Sequence, residues 1–199
     1  MRKILFLVLL LLSFKLSAQV VVDSNITFEK ALEGTLAPKS VIDSLVLINV
    51  EYYSDDNMLH QGQILMNRCL QEDVIEIFEF IKEEKIPIEM VIPIKFDLPD
   101  GNTTMANLNN TYGFHYRYAV SSKKLSNHSY GKAIDFNPFD NPYISSTGKI
   151  IPVGAKYEPL TNPLSFTSDC KLVKKFKELG WTWGGDWITT KDYMHFEKK

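Results

Sequence analysis

The chain has 199 residues, of which 45% are hydrophobic, and its formal net charge is −2 at pH 7. This length suits a single domain with a substantial core. The mildly acidic balance excludes the basic surface expected of a nucleic-acid-binding protein, so no nucleic-acid partner is expected.

The N-terminal segment MRKILFLVLLLLSFKLSAQ has the layout of a secretory signal peptide. Arg2 and Lys3 precede an apolar run over residues 4–14, and small residues follow up to Ala18. We therefore predict a signal peptide at residues 1–18 and an exported protein, periplasmic or secreted. An uncleaved anchor is the alternative, although the apolar run is shorter than the roughly 20 residues of a membrane-spanning helix. After cleavage no membrane span is expected.

The strand signals come next along the chain. Residues 19–43 are predicted to form a lead-in with a short helix near Phe28, and residues 44–199 a single domain. Alternation, β-branched residues and turn residues predict strands at 44–53, 59–67, 88–96, 113–120, 133–137 and 193–199.

Two longer helices are predicted between these strands. Apolar residues recur at the spacing of one buried helical face within residues 71–85, which Pro87 follows. A second helix is expected to be capped by Thr167 or Ser168 and to end before Gly180. Because strands and helices are mixed without a regular βαβ alternation, we predict an α+β fold with a central, mainly antiparallel sheet and flanking helices.

Cys69 and Cys170 leave two interpretations open. In an oxidising compartment they can form one disulfide, and each can equally be a small buried residue at the start of a helix. Two cysteines so far apart in sequence do not by themselves form a zinc–thiolate site.

The segment SNHSYGKAID, residues 126–135, contains the first candidate site residues. Asp135 lies in a short apolar strand, and a buried carboxylate must be paired, hydrogen-bonded or bound to a metal. Gly131 permits a sharp turn that brings His128 back toward the face from which Asp135 projects.

A second histidine lies between apolar residues near the end of the chain, in DYMHFE, residues 192–197. His195 is expected to share a strand face with Glu197, opposite the core residues. Together His128, Asp135 and His195 supply two imidazoles and one carboxylate, which is a catalytic type of zinc ligand set with a fourth position open for water. Asp192 would then be placed to take a proton from that water.

Two other interpretations of these residues remain. The histidines and aspartates can be unrelated in space. Serine–histidine–aspartate chemistry is the catalytic rival, with Ser126 or Ser129 as the nucleophile, although neither serine lies in a G-x-S-x-G elbow.

The motif S-N-H-S-Y-G-K-A-I-D resembles the S-x-H-x-x-G-x-A-x-D motif of the zinc D,D-carboxypeptidase family. This family includes the vancomycin-resistance D-Ala-D-Ala peptidases and the phage L-Ala-D-Glu endopeptidases. The segments WTWGGDW and DYMHFE resemble its C-terminal signature, and NNTYGFHYR resembles the segment where the family has an arginine. The resemblance covers Tyr52 to Glu197 and implies that residues 44–199 form a zinc D,D-peptidase-like catalytic domain.

The resemblance implies a role for each matching residue. One zinc ion would be held by His128, Asp135 and His195. Asp192 would be the general base and then the acid that protonates the leaving amine, in a position where many relatives carry glutamate. Arg117 would stabilise the oxyanion or grip a substrate carboxylate, whereas a surface strand arginine is the simpler alternative.

The tryptophan-rich segment near residue 185 also has two interpretations. Trp181, Trp183 and Trp187 can pack the core, or one of them can form a wall of the peptide cleft. Asp186 can be a partner of a zinc-binding histidine or an ordinary turn residue.

We therefore expect an exported zinc metallopeptidase that hydrolyses an amide bond in peptidoglycan stem peptides, as a D-Ala carboxypeptidase or an L-Ala-D-Glu-type endopeptidase. The conformation of loop 141–163 would decide between a pocket closed around a terminal carboxylate, as a carboxypeptidase needs, and a groove open at both ends, as an endopeptidase needs. The expected partner is the stem peptide, and the protein is expected to be a monomer. The alternative is a non-catalytic, zinc-containing domain that binds cell-wall peptides. The chain also resembles the hedgehog signalling domain, and folds of this kind can bind ligands without cleaving them.

Overall fold

The computed structural model describes residues 20–94, 109–120 and 122–199. The predicted signal peptide at residues 1–18 lies outside these residues, as does the end of the predicted strand 88–96. No helix within the described ranges is both long and apolar enough to cross a bilayer.

The described residues form short strands and four α-helices. The strands, β1 to β11 in chain order, are Val21–Val22, Leu45–Tyr53, Leu59–Asn67, Met90–Val91, Asn110–Thr111, Ala133–Asp135, Tyr143–Ile144, Ile150–Ile151, Thr182–Trp183, Lys191–Asp192 and His195–Glu197. The helices, α1 to α4, are Phe28–Ala31, Lys39–Ile42, Gln71–Glu83 and Lys171–Glu178. In the described parts of the chain, three 3-10 helices span Arg68–Leu70, Asn127–Tyr130 and Gly184–Asp186.

Within the described ranges, the strands are distributed among four small sheets. Their strand orders are β1-β3-β2, β10-β7-β8, β6-β11-β9 and β4-β5. Most pairs are antiparallel, and the exceptions are β1 with β3 and β4 with β5. Mixed helices and mainly antiparallel strands in one small domain confirm the predicted α+β class.

The long hairpin β2–β3 and helix α3 form the main layer of the core. The hairpin pairs residue for residue from Leu45 with Asn67 to Tyr53 with Leu59. Helix α3 presents one apolar face because its buried residues recur every three or four positions, at Val74, Ile77, Phe78 and Ile81. These residues join Phe136, Phe176 and Phe196 in one hydrophobic cluster, which forms the support beneath the candidate site.

The sheet β6-β11-β9 lies on this core and is shorter than the sequence predicts. The predicted strand 133–137 ends at Asp135, because Asn137 has a φ of 42° and leaves the extended conformation. The Asn137 side chain instead binds the backbone of Pro87 and Glu89.

Two further strand predictions are wrong in extent. The predicted strand 88–96 is reduced among the described residues to Met90–Val91. Residues 113–120 form no strand, because their backbone groups bond to the turn at 124–129 and to Leu65 rather than to a continuous neighbouring strand.

The predicted cap of the second long helix is also wrong. Helix α4 begins two or three residues later than expected, with Cys170 as its N-cap. Cys170 N–H donates to the Thr167 carbonyl in the turn that precedes the helix. Gly180 follows the helix with a φ of +80°, as its predicted position requires. Cys69 and Cys170 are both free thiols.

Candidate metal centre and cleft

Strand pairing brings Asp135 and His195 side by side. His195 of β11 lies directly opposite Asp135 of β6, and cross-strand partners on one face of a sheet are within contact distance. The separation of His195 Nδ1 and Asp135 Oδ1 is 2.9 Å. Both residues are buried, so neither charge is solvated by bulk water.

His128 reaches the same point from the 3-10 helix Asn127–Tyr130. The Ser126 side chain accepts a hydrogen bond from His128 N–H at the start of this helix. Gly131 ends the helix with a φ of +63°. A Cβ at Gly131 would lie 2.5 Å from the backbone nitrogen of Asn67, so glycine is required both for the turn and for the close approach to β3.

The three ligand atoms form a small triangle. His128 Nε2 lies 3.1 Å from Asp135 Oδ1 and 3.2 Å from His195 Nδ1. A tetrahedral zinc ion with bonds of about 2.0–2.2 Å keeps its ligand atoms about 3.3 Å apart. The observed separations of 2.9–3.2 Å are therefore close to those that a zinc ion requires.

The outer hydrogen bonds of the two imidazoles direct their lone pairs into this triangle. His128 Nδ1 lies 2.6 Å from the Gly113 carbonyl oxygen, and a carbonyl can only accept, so Nδ1 carries the proton. His195 Nε2 lies 3.0 Å from Glu197 Oε2, which likewise accepts. His128 Nε2 and His195 Nδ1 are then the nitrogens that face the Asp135 carboxylate, and the three atoms need a proton or a metal cation between them.

Neighbouring charges shift the pKa values of these side chains. Burial disfavours the charged form of His195, but its hydrogen bonds to Asp135 and Glu197 raise its pKa to about 10. Burial also opposes ionisation of Asp135, yet His128 and His195 hold the pKa of Asp135 well below its usual value. A metal cation bound in the triangle would take the place of the proton on His195 Nδ1, which faces Asp135, and would leave the Nε2 proton on the side of Glu197.

Asp192 lies next to this triangle on β10, where it pairs with Tyr143 of β7. A Cβ on Gly184 would lie 2.5 Å from the Asp192 carbonyl oxygen, so Gly184 allows β10 to approach closely. Asp192 Oδ1 is buried and has no hydrogen-bond partner among the described residues. Burial, with the Asp135 carboxylate nearby, raises the pKa of Asp192 to about 7.

Arg117 faces the same site from the segment before the 3-10 helix. Its backbone is held by Ser129, whose hydroxyl accepts from Arg117 N–H at 2.9 Å and donates to the Arg117 carbonyl at 2.7 Å. Burial lowers the pKa of Arg117, but the interactions with Tyr112, Asp135 and Asp192 outweigh it and raise that pKa. Arg117 is thus a partly buried cation beside buried carboxylates, not a surface strand arginine.

These hydrogen bonds disfavour the serine-nucleophile interpretation. The Ser129 hydroxyl is used by the backbone of Arg117, and the Ser126 hydroxyl caps the helix. Neither contact resembles the hydrogen bond from a nucleophile to a catalytic base.

A cavity of about 720 Å³ opens in front of the cluster. Arg117, Asp192, His195 and Glu197 line its inner wall. Hydroxyl-bearing side chains contribute much of the remaining lining: Ser122, Ser126, Tyr143, Ser145, Ser146, Thr147 and Thr190. A groove of this size with several hydroxyl groups in its wall can hold a short peptide and hydrogen-bond its backbone.

Comparison with known proteins gives one match. Residues 120–198 match a family model described as D-alanyl-D-alanine carboxypeptidase. This part of the chain is similar to that family. The matched range contains the three candidate ligands and Asp192 and confirms the resemblance over residues 120–198, whereas Arg117 precedes it. The curated proteins and the solved structures give no match.

Within this carboxypeptidase-like segment the tryptophans divide between the two interpretations. Trp181 and Trp183 are buried in the main hydrophobic cluster. Trp187 lines the cavity, with its ring centroid 5.5 Å from that of His195. Asp186 contacts neither histidine ligand but forms an ion pair with Lys177 at 2.7 Å.

Sequence reasoning missed the side chains that hold the ligands in place. The Tyr112 hydroxyl donates to Asp135 Oδ2 at 2.6 Å, and Asn127 Nδ2 donates to Glu197 Oε2 at 2.7 Å. The position of Glu197 on the His195 strand face was the one available signal for these contacts. The partners of Tyr112 and Asn127 are distant in sequence, so no local pattern indicates them.

Proposed function

We propose that the chain is a zinc-dependent peptidase that hydrolyses an amide bond in peptidoglycan stem peptides. One observation carries this proposal: two imidazole nitrogens and a carboxylate oxygen form a buried triangle. One of its members, His195, lines a cavity together with Asp192 and Arg117. The family match supports a peptidase, and the chemistry of the ligand set supports the metal.

The proposed metal ligands are His128, Asp135 and His195, which would hold one zinc ion. When bound, zinc lowers the pKa of a water molecule to near neutrality and polarises a carbonyl group. The protein supplies the orientation: Gly113 fixes the tautomer of His128, and Tyr112 fixes the rotation of the Asp135 carboxylate.

Asp192 is the proposed general base. Its buried oxygen Oδ1 is free to accept the proton of an attacking water, and its pKa of about 7 lies at the working pH. The same carboxyl group then donates that proton to the leaving amine, which completes the hydrolysis.

Arg117 is the proposed electrostatic partner of the scissile carbonyl. Its fixed backbone aims a permanent cation into the cavity. The guanidinium group would hydrogen-bond the carbonyl oxygen as negative charge develops there, or would bind a substrate carboxylate in bidentate fashion.

We further propose that the protein is exported and acts as a monomer on the cell wall. The predicted signal peptide and the family's name support this address and substrate class. The alternative, a zinc-containing domain that binds cell-wall peptides without cleaving them, leaves the perturbed Asp192 without a role.

Purified protein tests the proposal directly. Zinc content is measured by mass spectrometry, and defined muropeptides are incubated with the protein before and after treatment with a chelator. Loss of a terminal D-Ala identifies a carboxypeptidase, and cleavage at L-Ala-D-Glu identifies an endopeptidase. A zinc-loaded protein that binds muropeptides and cleaves none of them would contradict the proposed reaction and favour the binding domain.

A further inference from the structure

We propose that Glu197, held by Asn127, is a positioning residue that sets the tautomer and the metal affinity of His195. This inference goes beyond the ligand set and rests on the proposed metal centre. It starts from a contact on the outer side of the ligand cluster, where His195 Nε2 lies 3.0 Å from Glu197 Oε2.

The first step concerns the proton on His195. A neutral imidazole has one N–H, and an ionised carboxylate can only accept. Glu197 therefore holds a proton on Nε2. When a metal ion displaces the other proton, it is Nδ1, 2.9 Å from Asp135, that supplies the lone pair. Without this contact the ring could carry its proton on Nδ1, and the ligand set would lose one lone pair.

Glu197 is itself fixed by its backbone pairing and by a side-chain hydrogen bond. Its backbone lies in the central strand of the sheet β6-β11-β9, paired with Ala133 on one side and Thr182 on the other. Its carboxylate oxygen Oε2 also accepts from Asn127 Nδ2 at 2.7 Å. The side chain is four-fifths buried, so water competes weakly for these hydrogen bonds.

The hydrogen bond between Asn127 and Glu197 connects two elements of the proposed metal centre. Asn127 immediately precedes the ligand His128 in the 3-10 helix, and Glu197 follows the ligand His195 by two residues. The bond between them therefore joins the helix of the first ligand to the strand of the last. It fixes the distance between the two imidazoles in addition to the tautomer of one.

Charge distinguishes Glu197 from the other outer partners. His128 is held by a neutral backbone carbonyl and Asp135 by a neutral phenol. Only the His195 partner, among these three, is a carboxylate. A carboxylate on the outer nitrogen makes the inner nitrogen more electron-rich, and loss of such a partner typically weakens metal binding by roughly 10–100-fold.

The test measures zinc affinity by competition with a chelator. Glu197→Ala should weaken zinc binding by about 10–100-fold. Glu197→Gln keeps an acceptor oxygen but loses the charge, so its affinity should fall between those of Glu197→Ala and the wild type. Asn127→Ala should weaken binding in the same direction. Asp186→Asn is the matched control, because it removes one acidic charge nearby from a side chain that pairs with Lys177.

A spectroscopic measurement separates positioning from a general loss of structure. Nitrogen NMR of the zinc-loaded wild type should show the His195 proton on Nε2, and the metal-free variants should melt at temperatures close to that of the wild type. Equal zinc affinity in the wild type and Glu197→Ala, or a proton on Nδ1, would overturn the inference. A wild type that binds no zinc would instead overturn the proposed function.

Discussion

At the scale of single residues, Asp192 combines burial, a missing hydrogen bond and nearby carboxylates. These features raise its pKa to about 7, and Asp192 lies beside the proposed metal ligands without being one of them. A carboxyl group in this state exchanges a proton readily at neutral pH. The chemistry of the site is therefore expected to depend on this residue more than on any other non-ligand.

Asp192→Asn should retain zinc and lose turnover. Asparagine has nearly the same size, so substrate affinity should change little, while the rate should fall by ~10²–10⁴-fold because the general base is lost. Zinc content, melting temperature and turnover are measured on one preparation. Asp192→Glu is the control and should keep part of the activity. A folded, zinc-loaded Asp192→Asn protein with normal turnover would rule out the proposed mechanism.

Arg117→Ala separates the two roles proposed for the guanidinium group. If Arg117 stabilises the developing oxyanion, kcat should fall by about 10²–10³-fold with every substrate. If it binds a substrate carboxylate, KM should rise only with substrates that have a free C-terminus, and amidated substrates should be unaffected. Steady-state kinetics with matched free and amidated peptides decide between these results. No change with either substrate would remove Arg117 from the site.

At the scale of the element, the turn at Gly131 determines whether His128 reaches the cluster. Gly131 contacts the backbone of β3, and its carbonyl accepts from Asn67 N–H at 2.8 Å. The 3-10 helix is thus anchored to the long hairpin by a residue with no side chain. A movement of this anchor moves the ligand.

Gly131→Ala should destabilise the fold and weaken zinc binding together. A non-glycine residue at positive φ costs about 1–2 kcal/mol, and the clash with Asn67 adds to this cost. Gly148→Ala is the matched control, since Gly148 has a φ of +80° with open space around its Cβ position. Gly148→Ala should lose only the stability that a non-glycine residue loses at positive φ, and it should keep its zinc affinity. Denaturant unfolding and chelator competition measure the two effects, and equal losses of stability in both variants would contradict the clash.

The sequence predicted the elements whose signals are local. Helix α3 and the hairpin β2–β3 carry strong periodicity over many residues, so both were predicted to within two residues. The segment 113–120 alternates like a strand, but its partners lie in an irregular turn. The candidate ligands were predicted from a motif, whereas the Asn127–Glu197 contact joins residues 70 positions apart and depends on tertiary packing.

At the scale of the whole molecule, His60 joins the N-terminal segment to the central hairpin. Its Nδ1 lies 2.9 Å from Asp23 and its Nε2 3.2 Å from Asp56. Because both partners are carboxylates, the ring satisfies both contacts only as an imidazolium. Burial opposes the charge, but Asp23 and Asp56 outweigh it and raise the pKa of His60 above 6.5.

The stability contributed by His60 should therefore depend on pH. A raised pKa in the folded state means that this contribution is complete below the unfolded pKa of about 6.5 and is lost as pH rises through the folded pKa. The difference in unfolding free energy between the wild type and His60→Gln should shrink as pH increases above about 6.5. Urea unfolding of both proteins at several pH values measures this difference. The pH dependence that arises from all other titratable groups is common to both proteins and cancels. A difference in unfolding free energy that grows with pH would contradict the predicted direction of the pH dependence.

The pairing of β10 with β7 joins the proposed base to the loop that lines the cleft. Asp192 pairs with Tyr143, and Ser145, Ser146 and Thr147 follow directly in the cavity wall. Loop grafting that replaces residues 143–147 to change the preferred peptide would also displace the carboxylate. We therefore expect that variants selected in the laboratory for a new peptide specificity will also lose turnover. Compensating substitutions in β10 should be needed to restore it.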